Sequence, residues 1–172
     1  MKRVVVYKSS TGFTKTYAEW IAKELNCEMV DLKKVEESTL HQCEMVIYGG
    51  WIMGNTIVGL DKIKKMGANN LVVYAVGSLP KTKEVADSIQ TKNGLENTVF
   101  FYMPGGFRFE KLNFLIRMML KSMKKSIAKK ENKTETDVFM EKHLGTSFDH
   151  SDKKYIEPLI QYVNEEVSQK QN

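Results

Sequence analysis

The sequence predicts an α/β protein built on one doubly wound sheet of five parallel strands, in the order 2-1-3-4-5, with helices on both faces. Three observations carry this. Short β-branched or aromatic runs recur at residues 3–7, 45–48, 71–76 and 98–103, mostly bounded by Gly, Asn or Pro, as strands buried on both faces require. Helical patterns at 15–25, 58–66 and 83–90 alternate with them, which calls for right-handed crossovers. The first strand also runs directly into a hydroxyl-rich, single-glycine loop that opens the first helix.

In chain order, strand 3–7 holds the continuous run Val4, Val5 and Val6 and belongs in the middle of the sheet. The loop Ser9, Ser10, Thr11, Gly12, Phe13 and Thr14 follows, then the helix 15–25 and a weaker, edge-like strand at 28–32. After strand 45–48, Gly49, Gly50, Trp51, Ile52, Met53, Gly54 and Asn55 read as a loop, whose glycines let backbone approach a ring and whose indole offers a flat surface. Strand 71–76 ends in Val76, Gly77, Ser78, Leu79 and Pro80, a loop without an aromatic. Strand 98–103 ends in Pro104, Gly105, Gly106 and Phe107, a double-glycine turn.

About fifty residues then separate the fifth strand from the closing helix at 155–167, far more than a crossover needs. The excess is read as an insert over about 107–149. Within it, Leu112, Leu115, Ile116, Met119, Leu120, Met123 and Ile127 form one helical stripe, with Arg117, Lys121, Lys124 and Lys125 largely opposite. Residues 129–137 read as a polar return. The closing helix is expected to start near Asp149 or Asp152, with Pro158 bending or restarting it.

A length of 172 residues suits a single domain over 1–172. No apolar run approaches the ~20 residues needed to span a bilayer, and the chain opens on a strand instead of a leader, so a cytoplasmic protein is expected. Cys27 and Cys43 are far apart, and His41, His143 and His150 lack ligand spacing; reduced thiols and no metal site follow. The net charge is +5, yet residues 108–133 alone carry +7, leaving the remainder at −2.

Backbone N–H groups and the hydroxyls of the first loop converge above a helix N-terminus, which makes an anion site. The Lys and Ser/Thr pair of a triphosphate loop and the three-glycine dinucleotide fingerprint are both missing, so a phosphate monoester fits better. Hydroxyls there are also ordinary helix caps. The hexad Ser9 to Thr14 resembles the phosphate loop of the flavodoxin family, a known instance of the 2-1-3-4-5 order with FMN at the switch point. That resemblance implies FMN held without a positive side chain. It assigns Ser9, Ser10, Thr11, Gly12, Phe13, Thr14, Gly50, Trp51, Ile52, Met53, Gly54, Val76, Gly77, Ser78, Leu79, Gly105 and Gly106 to the cofactor. Phe13 departs from the polar residue common in flavodoxins, so packing replaces one hydrogen bond. The flavin's outer face, uncovered by an aromatic after strand four, would be open to a planar substrate.

Gly105, Gly106, Phe107, Arg108 and Phe109, followed by 112–125, resemble the insert of the menaquinone-dependent protoporphyrinogen dehydrogenases, a branch of the flavodoxin-like superfamily. This implies an enzyme of haem biosynthesis that passes electrons from a planar substrate to a quinone, the flavin carrying the chemistry and no side chain being catalytic. Arg108, Lys111 and Arg117 would bind substrate carboxylates. Lys121, Lys124 and Lys125 beside a Met-rich stripe would meet an anionic membrane surface.

Two other readings remain. A soluble flavodoxin-type electron carrier, docking to a redox partner protein, is disfavoured by the basic charge. A phosphoacceptor receiver lacks its acidic residues, since Lys8 and Ser9 follow strand one and Gly49 and Gly50 follow strand three. Nucleic-acid binding has no aromatic-interleaved groove to support it.

Overall fold

The computed structural model describes residues 2–112 and 114–169; Asn113, inside the helix expected over 112–127, and both ends of the 1–172 span lie outside the described residues. The elements in order are β1 (Arg3–Lys8), α1 (Phe13–Glu24), β2 (Glu28–Asp31), α2 (Glu37–His41), β3 (Met45–Met53), β4 (Thr56–Ile57), α3 (Leu60–Lys65), β5 (Leu71–Gly77), α4 (Lys83–Lys92), β6 (Val99–Pro104), β7 (Gly106–Phe107), α5 (Phe114–Ala128), α6 (Glu135–His143), β8 (Phe148–Asp149) and α7 (Glu157–Gln169). Five strands lie parallel in the order β2-β1-β3-β5-β6, and β4 is a short antiparallel stub on β3. This is the expected 2-1-3-4-5 sheet.

Alternation along each strand divides the core in two. Val5, Ile47, Val72 and Tyr74 pack with Tyr17 and Ile21 of α1 and Leu159 and Val163 of α7. Val4, Val6, Val46, Tyr48 and Val73 pack on the other side with Leu40 of α2, Ile63 of α3 and Ile89 of α4. Four buried tyrosines then tie the C-terminal edge of the sheet to what lies above it. Tyr48 donates to the Val58 carbonyl at 2.6 Å, Tyr74 to Thr14 at 3.4 Å, Tyr102 to Leu79 at 2.7 Å and Tyr17 to Pro104 at 2.5 Å. Burial raises the pKa of each phenol, so all four remain donors.

Three expectations are corrected. Strand three does not end at Tyr48: β3 continues through Gly49, Gly50, Trp51, Ile52 and Met53, and only Gly54 and Asn55 turn, both with positive φ. The reason is packing. A Cβ at Gly49 would fall 1.9 Å from the Tyr74 ring and one at Gly50 2.6 Å from Ile57, so these glycines are holes in the sheet that neighbours fill.

Residues 129–137 are not a plain polar return, because α6 begins in them. Thr134 and Asp137 form a capping box, and Lys130 pairs with Asp137 at 2.7 Å, fixing the start of α6 to the end of α5. Pro158 does not bend the closing helix. Asp152 caps a single 3-10 turn over Lys153–Ile156, and Pro158 sits in the first turn of α7, where its missing N–H is harmless.

The insert is a closed excursion. Its two ends pair as β7 and β8, Gly106 against Asp149 and Phe107 against Phe148, and His150 N–H donates to the Gly105 carbonyl at 2.9 Å. The Tyr17 hydroxyl also accepts from Asp152 N–H, so one side chain of α1 holds both the exit and the return.

Candidate functional site

The first loop keeps the geometry its composition implies. Gly12 is the N-cap of α1 with φ of 104°, a left-handed conformation that glycine adopts without strain, and the first bond of the helix runs from Thr16 N–H to the Gly12 carbonyl at 2.9 Å. The N–H groups of Phe13, Thr14 and Lys15 precede that bond. No side chain caps the helix and no acidic residue sits in its first turn. Ser9 Oγ accepts from Gly12 N–H at 3.2 Å and so shapes the loop itself, in which Ser10 is exposed and Thr11 half-buried. Neutral donors at the positive end of a helix dipole fit a phosphate dianion.

Phe13 and Thr14 belong to α1 and are buried, whereas the sequence placed them in the loop. Phe13 meets the double glycine. A Cβ at Gly106 would lie 2.4 Å from the Phe13 ring, and one at Gly105 would lie 2.5 Å from Val76. Gly105 N–H donates to the Gly77 carbonyl at 2.7 Å, Gly106 pairs in β7, and neither glycine has positive φ. They are therefore positions of close approach between β5, β6 and α1, not a glycine-dependent turn. Arg108 follows, with its guanidinium over the Phe13 ring at 4.9 Å and its Nε buried with no hydrogen-bond partner.

Beyond the strand ends lies a cavity of about 470 Å³. Ile52, Gly54, Gly77, Ser78 and Leu79 of the expected cofactor set line it. The phosphate loop, Gly50, Trp51, Met53, Val76, Gly105 and Gly106 do not. Trp51 is half-buried in β3 opposite Val76, and Met53 is exposed. The loop and the cavity are nevertheless neighbours, since Lys8 of β1 pairs with Gly50 of β3, two residues before Ile52. At strand spacings that separation is on the order of 10 Å.

The sequence reading missed the far wall. Phe107, Phe139, His143 and Phe148 line the cavity with Ser78 and Leu79, so the insert brings aromatics to the place where the loop after β5 has none. Their rings form a cluster: Phe139 to His143 at 4.4 Å, His143 to Phe148 at 4.9 Å, Phe148 to His150 at 5.0 Å. The loop after β5 is therefore bordered by rings that come from the insert. The capping pair Thr134 and Asp137 was the one signal that could have revealed α6 and with it Phe139 and His143.

The stripe expected on α5 divides. Ile127 is buried and Leu120 and Met123 face the cavity, but Leu115 and Met119 are exposed, together with Phe114 and Met118. Of the basic residues, Lys111, Lys121 and Lys125 are exposed, and Arg117 and Lys124 are half-buried. Among the described residues no group of His, Cys, Asp or Glu could hold a metal ion, and no helix is long and apolar enough to cross a membrane.

A doubly wound sheet with an uncapped, hydroxyl-rich helix N-terminus at its switch point and a cavity beside it has the architecture of α/β ligand-binding proteins. A family model described as a flavodoxin domain matches residues 4–137, more than three quarters of the chain, and the chain belongs to that family. Membership supports a flavin cofactor and redox chemistry as the general function. No curated protein matches the chain in sequence. Similar solved structures include a flavodoxin from the domain Archaea, 17% identical over 60% of this chain and 83% of that one, with a TM-score of 0.44. The Trp repressor binding protein from Bacillus subtilis is 19% identical over 60% and 83%, with a TM-score of 0.43. Oxidised flavodoxin 2 from Bacillus cereus is 12% identical over 59% and 84%, with a TM-score of 0.40. At scores of this size they carry no argument.

Proposed function

We propose that the chain is an FMN-dependent oxidoreductase that takes hydrogen from a planar substrate and passes electrons to a quinone, as its resemblance to the menaquinone-dependent protoporphyrinogen dehydrogenases implies. The observation that carries the cofactor is the N-terminus of α1, open to an anion behind Ser10 and Thr11 and free of acidic side chains. When FMN is bound, the N–H groups of Phe13 to Lys15 would hold its phosphate, and Ile52, Ser78 and Leu79, at the ends of β3 and β5, would flank its ring. FMN supplies the redox chemistry when bound, and the chain supplies anchoring, placement and exclusion of water. The basic side chains of the insert, Lys111 and Arg117 among them, attract substrate carboxylates, and the exposed apolar face of α5 meets the membrane in which a quinone is dissolved.

Purification tests the cofactor: a yellow protein that releases FMN on denaturation supports the reading, and a colourless one that takes up no FMN at micromolar concentration overturns it. Anaerobic turnover of protoporphyrinogen with a menaquinone analogue tests the substrates. A flavin-loaded protein without that turnover, showing a stable semiquinone in a redox titration, would instead be an electron carrier, the reading that family membership alone leaves standing.

A further inference from the structure

A second cleft of about 390 Å³ adjoins the first cavity, with Leu79 and Phe139 common to both walls. Of the residues expected at the cofactor, Leu79 alone lines it among the described residues. The loop after β5 supplies Pro80 and Lys81, the return from the insert Ser151 and Asp152, and the turn before α7 Lys154 and Tyr155. Charge in it is uneven. The N–H and then the ammonium of Lys154 hold the Asp152 carboxyl below its usual range, the ammonium at 3.1 Å. Lys81 has no carboxylate partner among the described residues; its ammonium lies 5.5 Å from the centroid of the Tyr155 ring, and that of Lys154 lies 5.1 Å from the same centroid. Two cations thus share one ring and one anion, so a negative guest beside Lys81 would restore the balance.

The donors of the cleft narrow the kind of anion. Its backbone N–H groups are engaged: His150 donates to the Gly105 carbonyl, Ser151 to the Asp149 carboxylate, Asp152 to the Tyr17 hydroxyl and Lys154 to the Asp152 carboxylate. Ser151 Oγ, in contrast, is buried with no hydrogen-bond partner. A phosphate dianion calls for a fan of free donors, which the return does not offer. One ammonium and one hydroxyl match the two oxygens of a carboxylate. The rest of the wall, with Leu79, Pro80, Pro104, Phe139 and the Tyr155 ring, is apolar, and the volume falls within the ~300–1,000 Å³ usual for small-molecule sites.

We propose that this cleft binds a small monocarboxylate with an apolar, ring-bearing body, its carboxylate set between the Lys81 ammonium and the Ser151 hydroxyl. The site is separate from the anion loop, none of whose residues lines it, and it does not depend on the flavin reading.

Calorimetry on the full chain, with and without saturating FMN, tests this with 3-phenylpropionate and its uncharged amide, 3-phenylpropanamide. The carboxylate is expected to bind about tenfold or more tightly than the amide, and equally well with and without FMN. Lys81→Met should weaken it about tenfold and Ser151→Ala about fivefold, whereas Lys83→Met, at an exposed lysine paired with Asp87 on α4, should leave it unchanged. No binding of the carboxylate, equal affinity for the amide, displacement by FMN or by inorganic phosphate at the same concentration, a Lys81→Met or Ser151→Ala chain that binds like the parent, or an equal loss in Lys83→Met would each overturn the proposal. Lys81 is exposed and the two-probe comparison needs no variant, so a misfolded Ser151→Ala chain, recognised by circular dichroism, leaves the test decisive. FMN uptake is measured on the same samples: a chain that takes FMN but not 3-phenylpropionate loses this inference alone, and one that takes 3-phenylpropionate but not FMN loses only the flavin reading.

Discussion

Arg108 is the residue at which packing and charge disagree. Its guanidinium stacks on Phe13, a contact worth roughly 0.5–2 kcal/mol, while its buried Nε lacks a partner, which costs about 1–3 kcal/mol. An anion on the loop at the start of α1 would supply the missing partner and a counter-charge. Arg108→Gln is therefore expected to weaken FMN binding about tenfold, or about 1.4 kcal/mol, with little change in melting temperature. Arg108→Lys should not restore it, because an ammonium neither stacks nor forks. Titration by quenching of flavin fluorescence reads the effect, and an unchanged Kd would leave Arg108 a packing residue only. The sequence placed Arg108 with the basic helix and the phosphate loop without a cation. Nothing local could have joined them, since the contact with Phe13 spans most of the chain and is set by the neck of the insert.

At the scale of elements, the insert is closed by its β7–β8 neck, tied to α1 by Tyr17, and packed on itself by the ring cluster at the ends of α6 and β8. Two histidines sit in that cluster, His143 and His150, with centroids 5.6 Å apart. Lys142 stands beside them on α6, and Lys81, Lys154 and Asp152 line the cleft that His150 shares. Because burial and its neighbours depress the folded pKa of His143 below the ordinary 6.5, the packed ring cluster binds fewer protons than the unpacked one. Packing of the insert on itself is thus at full strength above pH 6.5 and weakens as pH falls through the depressed value. Limited proteolysis should cut near 129–133 faster at pH 5 than at pH 7.5, and His143→Phe should flatten that dependence; equal rates at both pH values would show that the cluster does not report protonation. The five parallel strands, their order and the strand-to-helix corner at Gly12 were legible because burial on two faces and hydroxyl-rich turns leave local marks. The continuation of β3 was not, because Gly49 and Gly50 signal a loop unless one knows that Tyr74 and Ile57 fill their places. The aromatic wall was hidden for the same reason: its rings come from three separated stretches that only the closed neck brings together.

At the scale of the whole molecule, charge and apolar exposure coincide. The chain carries +5, with +7 concentrated in residues 108–133, and α5 in that stretch exposes Phe114 and Leu115 at 69% each and Met118 and Met119 above half. The inner side of α5 is already satisfied by Leu120, Met123 and Ile127, so the outer apolar face is surplus to the fold. Apolar side chains surrounded by exposed Lys111, Lys121 and Lys125 match a surface with acyl chains beneath anionic headgroups. Each lysine near such a surface contributes about 1 kcal/mol. Reversing three of them should therefore weaken binding to vesicles rich in phosphatidylglycerol by a factor of about 100 or more. Raising the salt from 0.05 to 0.5 M should weaken the parent chain in the same direction, because the Debye length shrinks several-fold over that range. Phe114→Ser with Leu115→Ser should instead weaken binding equally at both salt concentrations, since the apolar contribution is not screened. Co-sedimentation separates the two effects, and retention of full binding by the lysine-reversed chain would mean that α5 does not face lipid.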